Sequence, residues 1–289
     1  MSRSAMILVH KAAELRAEVA AARAAGQRIG LVPTMGNLHA GHASLVRRAR
    51  ELCDFVVASV FVNPLQFGAG EDFSRYPRTL PADRMVLEAE GAALLFAPAV
   101  EEVYPLGYPP RTTVRVGGEI TAQLEGEFRP GHFEGVATVV SILFNLVQPD
   151  VAVFGEKDYQ QLQLIKRMAA ELAMPLQVTG APTLRDPDGL AMSSRNQYLE
   201  ADERARAAGL NRALLAVVEA VRAGRRDFDE ICAAGVADLA SQGFRPQYLA
   251  VRNRDLMPPD AAGREWVVLG AAWLGKTRLI DNVQFSVDD

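Results

Sequence analysis

The stretch "IGLVPTMGNLHAGHASLVRRAREL", residues 29–52, decides how this chain is built. Ile29 to Val32 form an apolar run that Pro33 and Thr34 bring to an end. From His42 onward, Leu45, Ala49 and Leu52, with Ala43 and Val46, fall at spacings of three and four, which predicts a helix with one buried face. Gly36 allows a tight turn between the two, and the helix opens near Gly41 or His42. A strand, a turn and a helix make one unit of a larger pattern.

The unit repeats. "DFVVASVFV" (54–62), "AALLFAP" (92–98), "VAVFG" (151–155) and "LQVTGAP" (176–182) read as strands buried on both faces. "PADRMVLEAEG" (81–91), "FEGVATVVSILFNLV" (133–147) and "YQQLQLIKRMAAEL" (159–172) carry helical spacing. Strand alternating with helix implies an α/β fold, a Rossmann-like doubly wound parallel sheet with crossover helices on both faces. Ligands of such sheets bind at the carboxyl ends of the strands.

The pattern changes past residue 185. "ADERARAAGLNRALLAVVEAVRAG" (201–224) reads as one long amphipathic helix and "FDEICAAGVADLASQG" (228–243) as a second. "PQYLAVRN", "EWVVLGAAWLG" and "TRLIDNVQF" then read as three antiparallel strands. The expected division is a larger domain over 1–184 and a smaller α+β domain over 185–289, with the boundary near "RDPDGLA", where Pro187 and Gly189 punctuate the chain.

Composition narrows the functional classes. The 289 residues are 49% apolar and 23% charged with a net charge of −4, which offers no polyanion-binding surface. Arg47, Arg48 and Arg50 sit within one helical turn and read as a solvated face, so no nucleic-acid partner is expected. Cys53 and Cys232 lie far apart outside any CxxC pair and read as buried thiols of a reducing compartment. No apolar run approaches the length of a membrane span, so a soluble, cytoplasmic protein with no membrane partner is expected.

Candidate chemistry gathers after strand ends. His39 and His42 stand at the entrance of the first helix, where unpaired N–H groups and a partial positive charge suit a phosphate. A structural helix start and a metal site compete with that reading. The metal reading lacks ligands nearby, since only His132 could join from afar, and no metal ligand is assigned. Asn63 and Gln66 follow the second of these strands as neutral, two-sided hydrogen-bonding groups that suit a small polar substrate, and a reading as turn amides that cap their own backbone stands equally beside it. The helix after "VFG" opens at Lys157 or Asp158, where Lys157 can reach a phosphate and Asp158 a ribose hydroxyl, with Gln161 one turn on, or where the charged pair serves only as a cap. "GLAMSSRNQYL" offers Ser193, Ser194 and Arg195 as a grip on a triphosphate, although a polar loop capping a helix reads as well. "EGEFRPGHFEG" (125–135) places Arg129 and His132 in a glycine-flanked loop that can act as a lid or remain a surface loop. GxGxxG does not occur, so a nucleotide would be held without that fingerprint.

His39-x-Gly41-His42 and Met192-Ser193-Ser194-Arg195 resemble the HIGH and KMSKS signatures of the adenylate-forming nucleotidylyltransferase superfamily. More closely, "PTMGNLHAGH", "FVNPLQFG", "YPRT", "FRPGHFEGVATVV", "FGEKDYQQL" and "MSSRNQYL" resemble the pantothenate synthetases, or pantoate–β-alanine ligases, in order from about Gly30 to Leu199. Leu65 departs from that pattern by replacing a methionine, a volume-conserving change.

The resemblance implies that pantoate and ATP form pantoyl adenylate and pyrophosphate, and that β-alanine then yields pantothenate and AMP. It implies an ATP site lined by Met35, Gly36, Asn37, Leu38, His39, Ala40, Gly41 and His42, with His42 as proton donor and His39 on the phosphates. Gly155, Glu156, Lys157 and Asp158 would contact nucleotide, Lys157 at phosphate and Asp158 towards ribose. Leu184 would lie near adenine, and Met192, Ser193, Ser194 and Arg195 would close over the triphosphate. Gln66 would hold both pantoate and β-alanine, Gln161 pantoate and Asn63 β-alanine, while Arg129 and His132 match further family positions near substrate. Mg²⁺ is implied as an ion carried mainly by the ATP phosphates, with Asp83 as a nearby carboxylate, and a homodimer is implied as the assembly. The rival within the superfamily is an adenylyltransferase that leaves AMP on its product. A non-catalytic nucleotide sensor and a structural zinc protein are the rivals outside it.

Overall fold

The computed structural model describes residues 5–68 and 70–287. Six parallel strands form the main sheet: β1 (Ile7–Val9), β2 (Ile29–Thr34), β3 (Phe55–Val60), β4 (Leu94–Phe96), β5 (Val151–Gly155) and β6 (Gln177–Ala181). Their spatial order is β1-β4-β3-β2-β5-β6. After β2 the chain builds outward through β3 and β4 on one side, and then returns to lay β5 and β6 on the other. The switch point therefore lies between β2 and β5, whose carboxyl ends carry the two stretches "TMGNLHAGH" and "GEKD".

The helices of this part are α1 (Ala12–Ala24), α2 (Ala40–Leu52), α3 (Leu80–Glu90), the single turns α4 (Val100–Val103) and α5 (Glu125–Phe128), α6 (His132–Val147) and α7 (Tyr159–Glu171). Beneath α2 and α3, one core joins Val32, Val56, Ala58, Leu95, Val151 and Val153 of the sheet to Leu45, Val46, Ala49 and Leu87. Each such Leu or Val removed from water contributes about 1.5–3 kcal/mol, which fixes the helical face seen in the sequence spacing. On the opposite face, α1 and α6 pack on each other and on β2. The sequence pattern does not single out β1 and α1. β1 is three residues at a sheet edge, too short to show a period. Its counterpart β6 at the other edge is mostly half-exposed and not buried on both faces as the apolar run suggests.

The second sheet is antiparallel, in the order β7 (Phe244–Asn253), β8 (Glu265–Leu274) and β9 (Thr277–Ser286). Helices α9 (Gly209–Arg222) and α10 (Phe228–Ser241) pack against it through Leu214, Val217, Val221 and Ile231, onto Leu249, Val268 and Trp266. The long helix expected over 201–224 is instead two, α8 (Ala201–Arg206) and α9, with a break at Ala207–Ala208. At the break, Ala207, Ala208 and Leu210 enter a core with Leu239 and Phe244.

The chain forms two compact units. The first comprises Met1–Ala122, Arg129–Glu156 and Gln161–Pro182, and the second Gln123–Phe128, Lys157–Gln160 and Thr183–Asp289. Two short segments from the first 184 residues thus belong to the second unit. Hydrogen bonds explain this: Glu125 pairs with Arg278 of β9 through two contacts of 2.7 Å and accepts from Tyr248 Oη of β7 at 2.8 Å. Gln160 Nε2 donates to the Gln123 carbonyl at 2.8 Å, and its Oε1 accepts from the Glu125 N–H at 3.0 Å. Tyr248 is nearly enclosed, and that burial, with the Glu125 carboxylate beside it, holds its phenol well above the ordinary value.

Candidate active site

The loop from β2 to α2 needs two residues in the left-handed region, Gly36 at φ +85° and Asn37 at φ 52°. Thr34 fixes its start by donating to the Ser59 carbonyl at 2.7 Å while accepting from Gly36 N–H at 3.3 Å. Asp83, in the first turn of α3 and 1% exposed, fixes the rest. Its carboxylate accepts from the N–H groups of Asn37 at 3.2 Å and Leu38 at 2.8 Å, and from the Thr79 hydroxyl at 3.2 Å. A side chain at Gly36 would meet that carboxylate at 3.0 Å. Asp83 is therefore a clamp on the loop, with its oxygens engaged by backbone.

That loop delivers His39 as the N-cap of α2. The His39 Nδ1 accepts from Gly41 N–H at 3.1 Å, and the His42 Nδ1 accepts from His39 N–H at 3.3 Å. The two rings, 4.1 Å apart between centroids, form a reciprocal capping box in the places usually taken by Ser or Thr and Glu. Each Nδ1 is an acceptor here, so the neutral rings carry their proton on Nε2. Two imidazole N–H donors and the N-terminal half-charge of a helix thus stand together at the switch point, which suits an anion.

A second set follows β3. Asn63 is 1% exposed, and all four of its hydrogen-bonding positions are filled. Its Oδ1 accepts from the Tyr104 hydroxyl at 2.7 Å and the Leu65 N–H at 3.2 Å, while Nδ2 donates to Gln66 Oε1 and to the Gly135 carbonyl, both at 3.1 Å. Burial, with Tyr108 nearby, drives the Tyr104 phenol far above its ordinary value, so it remains a donor. Asn63 orients Gln66, whose Nε2 lies 3.0 Å from the Met35 sulfur. In this structure all four of these Asn63 contacts are made within the protein.

Gly135 lets α6 reach this turn: a Cβ there would sit 2.4 Å from the Leu65 carbonyl oxygen. At the head of α6, His132 is 8% exposed, with Nδ1 2.8 Å from the Gln66 carbonyl and Nε2 3.0 Å from Arg129 Nη1. Because the guanidinium can only donate, Nε2 accepts and Nδ1 carries the proton. Arg129 also pairs with Glu71 through both its forks, at 2.7 and 2.8 Å. Burial alone would raise the Glu71 carboxyl, but the Arg129 hydrogen bonds and charge win and hold it below the ordinary carboxylate value. Arg129 and His132 thus support Gln66 from behind. Gln161 is half-buried in the first turn of α7.

Taken by itself, the second unit carries the remaining candidates. α7 opens at Tyr159 after a 3-10 turn, Glu156–Asp158, so Lys157 precedes the helix. Lys157 Nζ is 3.9 Å from Asp158 Oδ2. Leu184 and Met192 face each other across a hairpin in which Met192 N–H donates to the Leu184 carbonyl at 3.0 Å. Ser193 caps the following 3-10 turn, Ser194–Tyr198, by accepting from Arg195 N–H at 3.3 Å, so the capping role read from the sequence holds for this residue.

Sequence reasoning misses Tyr104, Glu71 and Gly135. Only Gly135 leaves a trace, as a glycine that weakens an otherwise regular helical pattern.

A donor-rich helix entrance at the switch point of a doubly wound sheet defines an α/β nucleotide-binding protein. Comparison with known proteins narrows the class. A model of the pantoate–β-alanine ligase family matches residues 7–284. A pantothenate synthetase of Pseudomonas entomophila (strain L48) is 56% identical over 277 residues, covering 96% of both chains. The crystal structure of pantothenate synthetase from Thermus thermophilus is 50% identical with a TM-score of 0.89, over 96% of this chain and 99% of that one. A Francisella tularensis pantoate–β-alanine ligase, solved with β-γ ATP and β-alanine, is 33% identical with a TM-score of 0.78, over 96% and 97%. The chain belongs to the pantoate–β-alanine ligase family.

Proposed function

We propose that this chain condenses (R)-pantoate with β-alanine at the expense of ATP, through pantoyl adenylate, and releases AMP and pyrophosphate. Near-full-length membership of the ligase family carries the reading, and the histidine capping box at the switch point supports it. A carboxylate is a poor acyl donor, and adenylation supplies the leaving group that an amine can displace.

Met35 to His42 are proposed to line the ATP site, with His39 on the phosphates and His42 donating towards the departing pyrophosphate from Nε2. Such preorganised donors at developing charge are worth about 2.7–4 kcal/mol each in comparable sites. Gly155 to Asp158 contact nucleotide, Lys157 at phosphate and Asp158 towards ribose. Leu184 lies near adenine, and Met192 to Arg195 grip the triphosphate. Gln66 holds pantoate and β-alanine, and Gln161 holds pantoate. Asn63 acts on β-alanine through the orientation it imposes on Gln66, because its own polar atoms are taken. Arg129 and His132 serve the same turn.

Mg²⁺ fits this arrangement as an ion carried by ATP, since the Asp83 oxygens already accept from Asn37, Leu38 and Thr79. Its chemistry is charge neutralisation on the phosphates. The smaller domain, 185–289, is proposed to close over the adenylate and exclude water. Crystals with and without adenylate that show identical domain positions would overturn that part. A homodimer and a cytoplasmic location complete the proposal. No helix among the described residues is long and apolar enough to cross a membrane. Sedimentation of the purified protein tests the dimer.

The decisive experiment supplies ATP, Mg²⁺ and pantoate, then adds β-alanine. Pyrophosphate stoichiometric with enzyme, followed by AMP turnover only after β-alanine, is expected. Absence of pyrophosphate while ATP binds would overturn the substrate assignment in favour of another adenylyltransferase.

A further inference from the structure

The last strand, β9, contributes nothing to the motifs, yet two of its buried residues hold both nucleotide segments of the second unit. Asp281 and Asn282 are each 5% exposed. Asn282 Nδ2 donates to the backbone carbonyl of Lys157 at 2.9 Å. Asp281 receives Arg185 through two contacts, at 2.6 and 2.9 Å, together with Asn211 Nδ2 at 3.2 Å and the Asn282 N–H at 2.8 Å. Arg185 continues to the Asn282 carbonyl at 3.2 Å and the Gly189 carbonyl at 3.1 Å. It sits in the hairpin that runs from Leu184 to Met192, bridged at Arg185 and Ala191. The 3-10 turn Ser194–Tyr198 itself lies against β9. Lys157 and the Met192–Arg195 stretch are thus referred to adjacent residues of one strand.

We infer that Asn282 is a positioning residue for ATP, fixing Lys157 through its carbonyl in register with the hairpin that presents Met192 to Arg195. This rests on the reading that those segments hold the nucleotide. A backbone carbonyl tied to a sheet fixes where the following helix begins, and hence where the Lys157 ammonium stands. Asp281 and Arg185 keep the hairpin in that frame through a paired charge that one truncation would leave buried.

The test compares Asn282→Ala, Lys157→Ala and the double variant by steady-state pyrophosphate release, with thermal unfolding to confirm folding. Asn282→Ala is expected to raise KM for ATP about five- to tenfold, the scale of one hydrogen bond, with KM for β-alanine unchanged. If Asn282 acts through Lys157, the double variant matches Lys157→Ala alone, because the effects are coupled and do not add. Additive effects, a parallel rise in both KM values, or no change in Asn282→Ala would overturn the inference while leaving the ATP site as proposed. Unchanged ATP binding in Lys157→Ala would instead remove Lys157 from that site, and the inference with it.

Discussion

Two helix entrances in this molecule carry similar residues and serve differently. At α2, His39 and His42 follow a glycine-bearing loop, and at α6, Arg129 and His132 do the same. The first pair turns each Nδ1 onto the backbone of its own helix, which leaves both rings half-exposed with the proton on Nε2. The second ring is buried, and both of its nitrogens are committed to neighbouring protein groups. The first pair of rings is tied to the start of its own helix, whereas the His132 ring ties the Gln66 turn to Arg129. The sequence shows a Gly-His step in both places, Gly41-His42 and Gly131-His132, and the partners separate the roles.

The contrast breaks most readily at α2. His42→Ala is expected to lower the rate of adenylation about 100- to 1,000-fold with the fold kept, as measured by pantoate-dependent pyrophosphate release. A near-normal rate would make the α2 histidines struts as well. Next in size, Arg129→Ala leaves Glu71 without its partner in a mostly buried site, at a cost of about 3 kcal/mol in denaturant unfolding. Its KM for pantoate should rise more than its adenylation rate constant falls. An equal or larger fall in that rate constant would give Arg129 a direct part in the chemistry.

Gly135→Ala sharpens the comparison further, because it pushes α6 off the turn that carries Gln66. The expected cost is about 1–3 kcal/mol, with weaker pantoate and β-alanine binding by calorimetry and ATP binding retained. Loss of ATP binding as well would mean that the two entrances are not separable.

The smallest effect is one of pH. Glu71 has a carboxyl held below its ordinary value of 4.5, so the unfolded chain takes up its proton first as pH falls. The pair therefore adds stability above that ordinary value and loses it as pH drops through the folded value. Thermal unfolding at about pH 6 and about pH 4 should show a smaller decrease for Glu71→Gln than for the unaltered chain. An identical decrease would assign the acid sensitivity to other carboxylates.

Much of the fold is legible in one dimension because buried strands and amphipathic helices impose their own periods. "VVA" (56–58) and "VAVF" (151–154) are uninterrupted apolar runs because β3 and β5 are buried on both faces, and the spacing of Leu45, Ala49 and Leu52 follows from one core beneath α2. The break between α8 and α9 is not legible, since Ala207 and Ala208 are good helix formers whose turn is set by the core they enter. The candidate site divides in the same way. His39 and His42 announce themselves by a local capping pattern. Tyr104 and Glu71 act across 41 and 58 residues of chain and leave no local trace.

By itself, then, the sequence determined the βα alternation, the parallel sheet, the position of the histidine-bearing helix entrance and, through its motifs, the ligase family. These are short-range properties, written in residue period and in turn chemistry within a few positions. The tertiary structure alone decided that Asn63 is a fully bonded strut for Gln66, that Asp83 clamps the loop before α2, and that Asn282 holds Lys157. Each of those roles depends on a hydrogen bond between groups far apart in the chain, and a buried polar atom takes its function from the partner that folding brings to it.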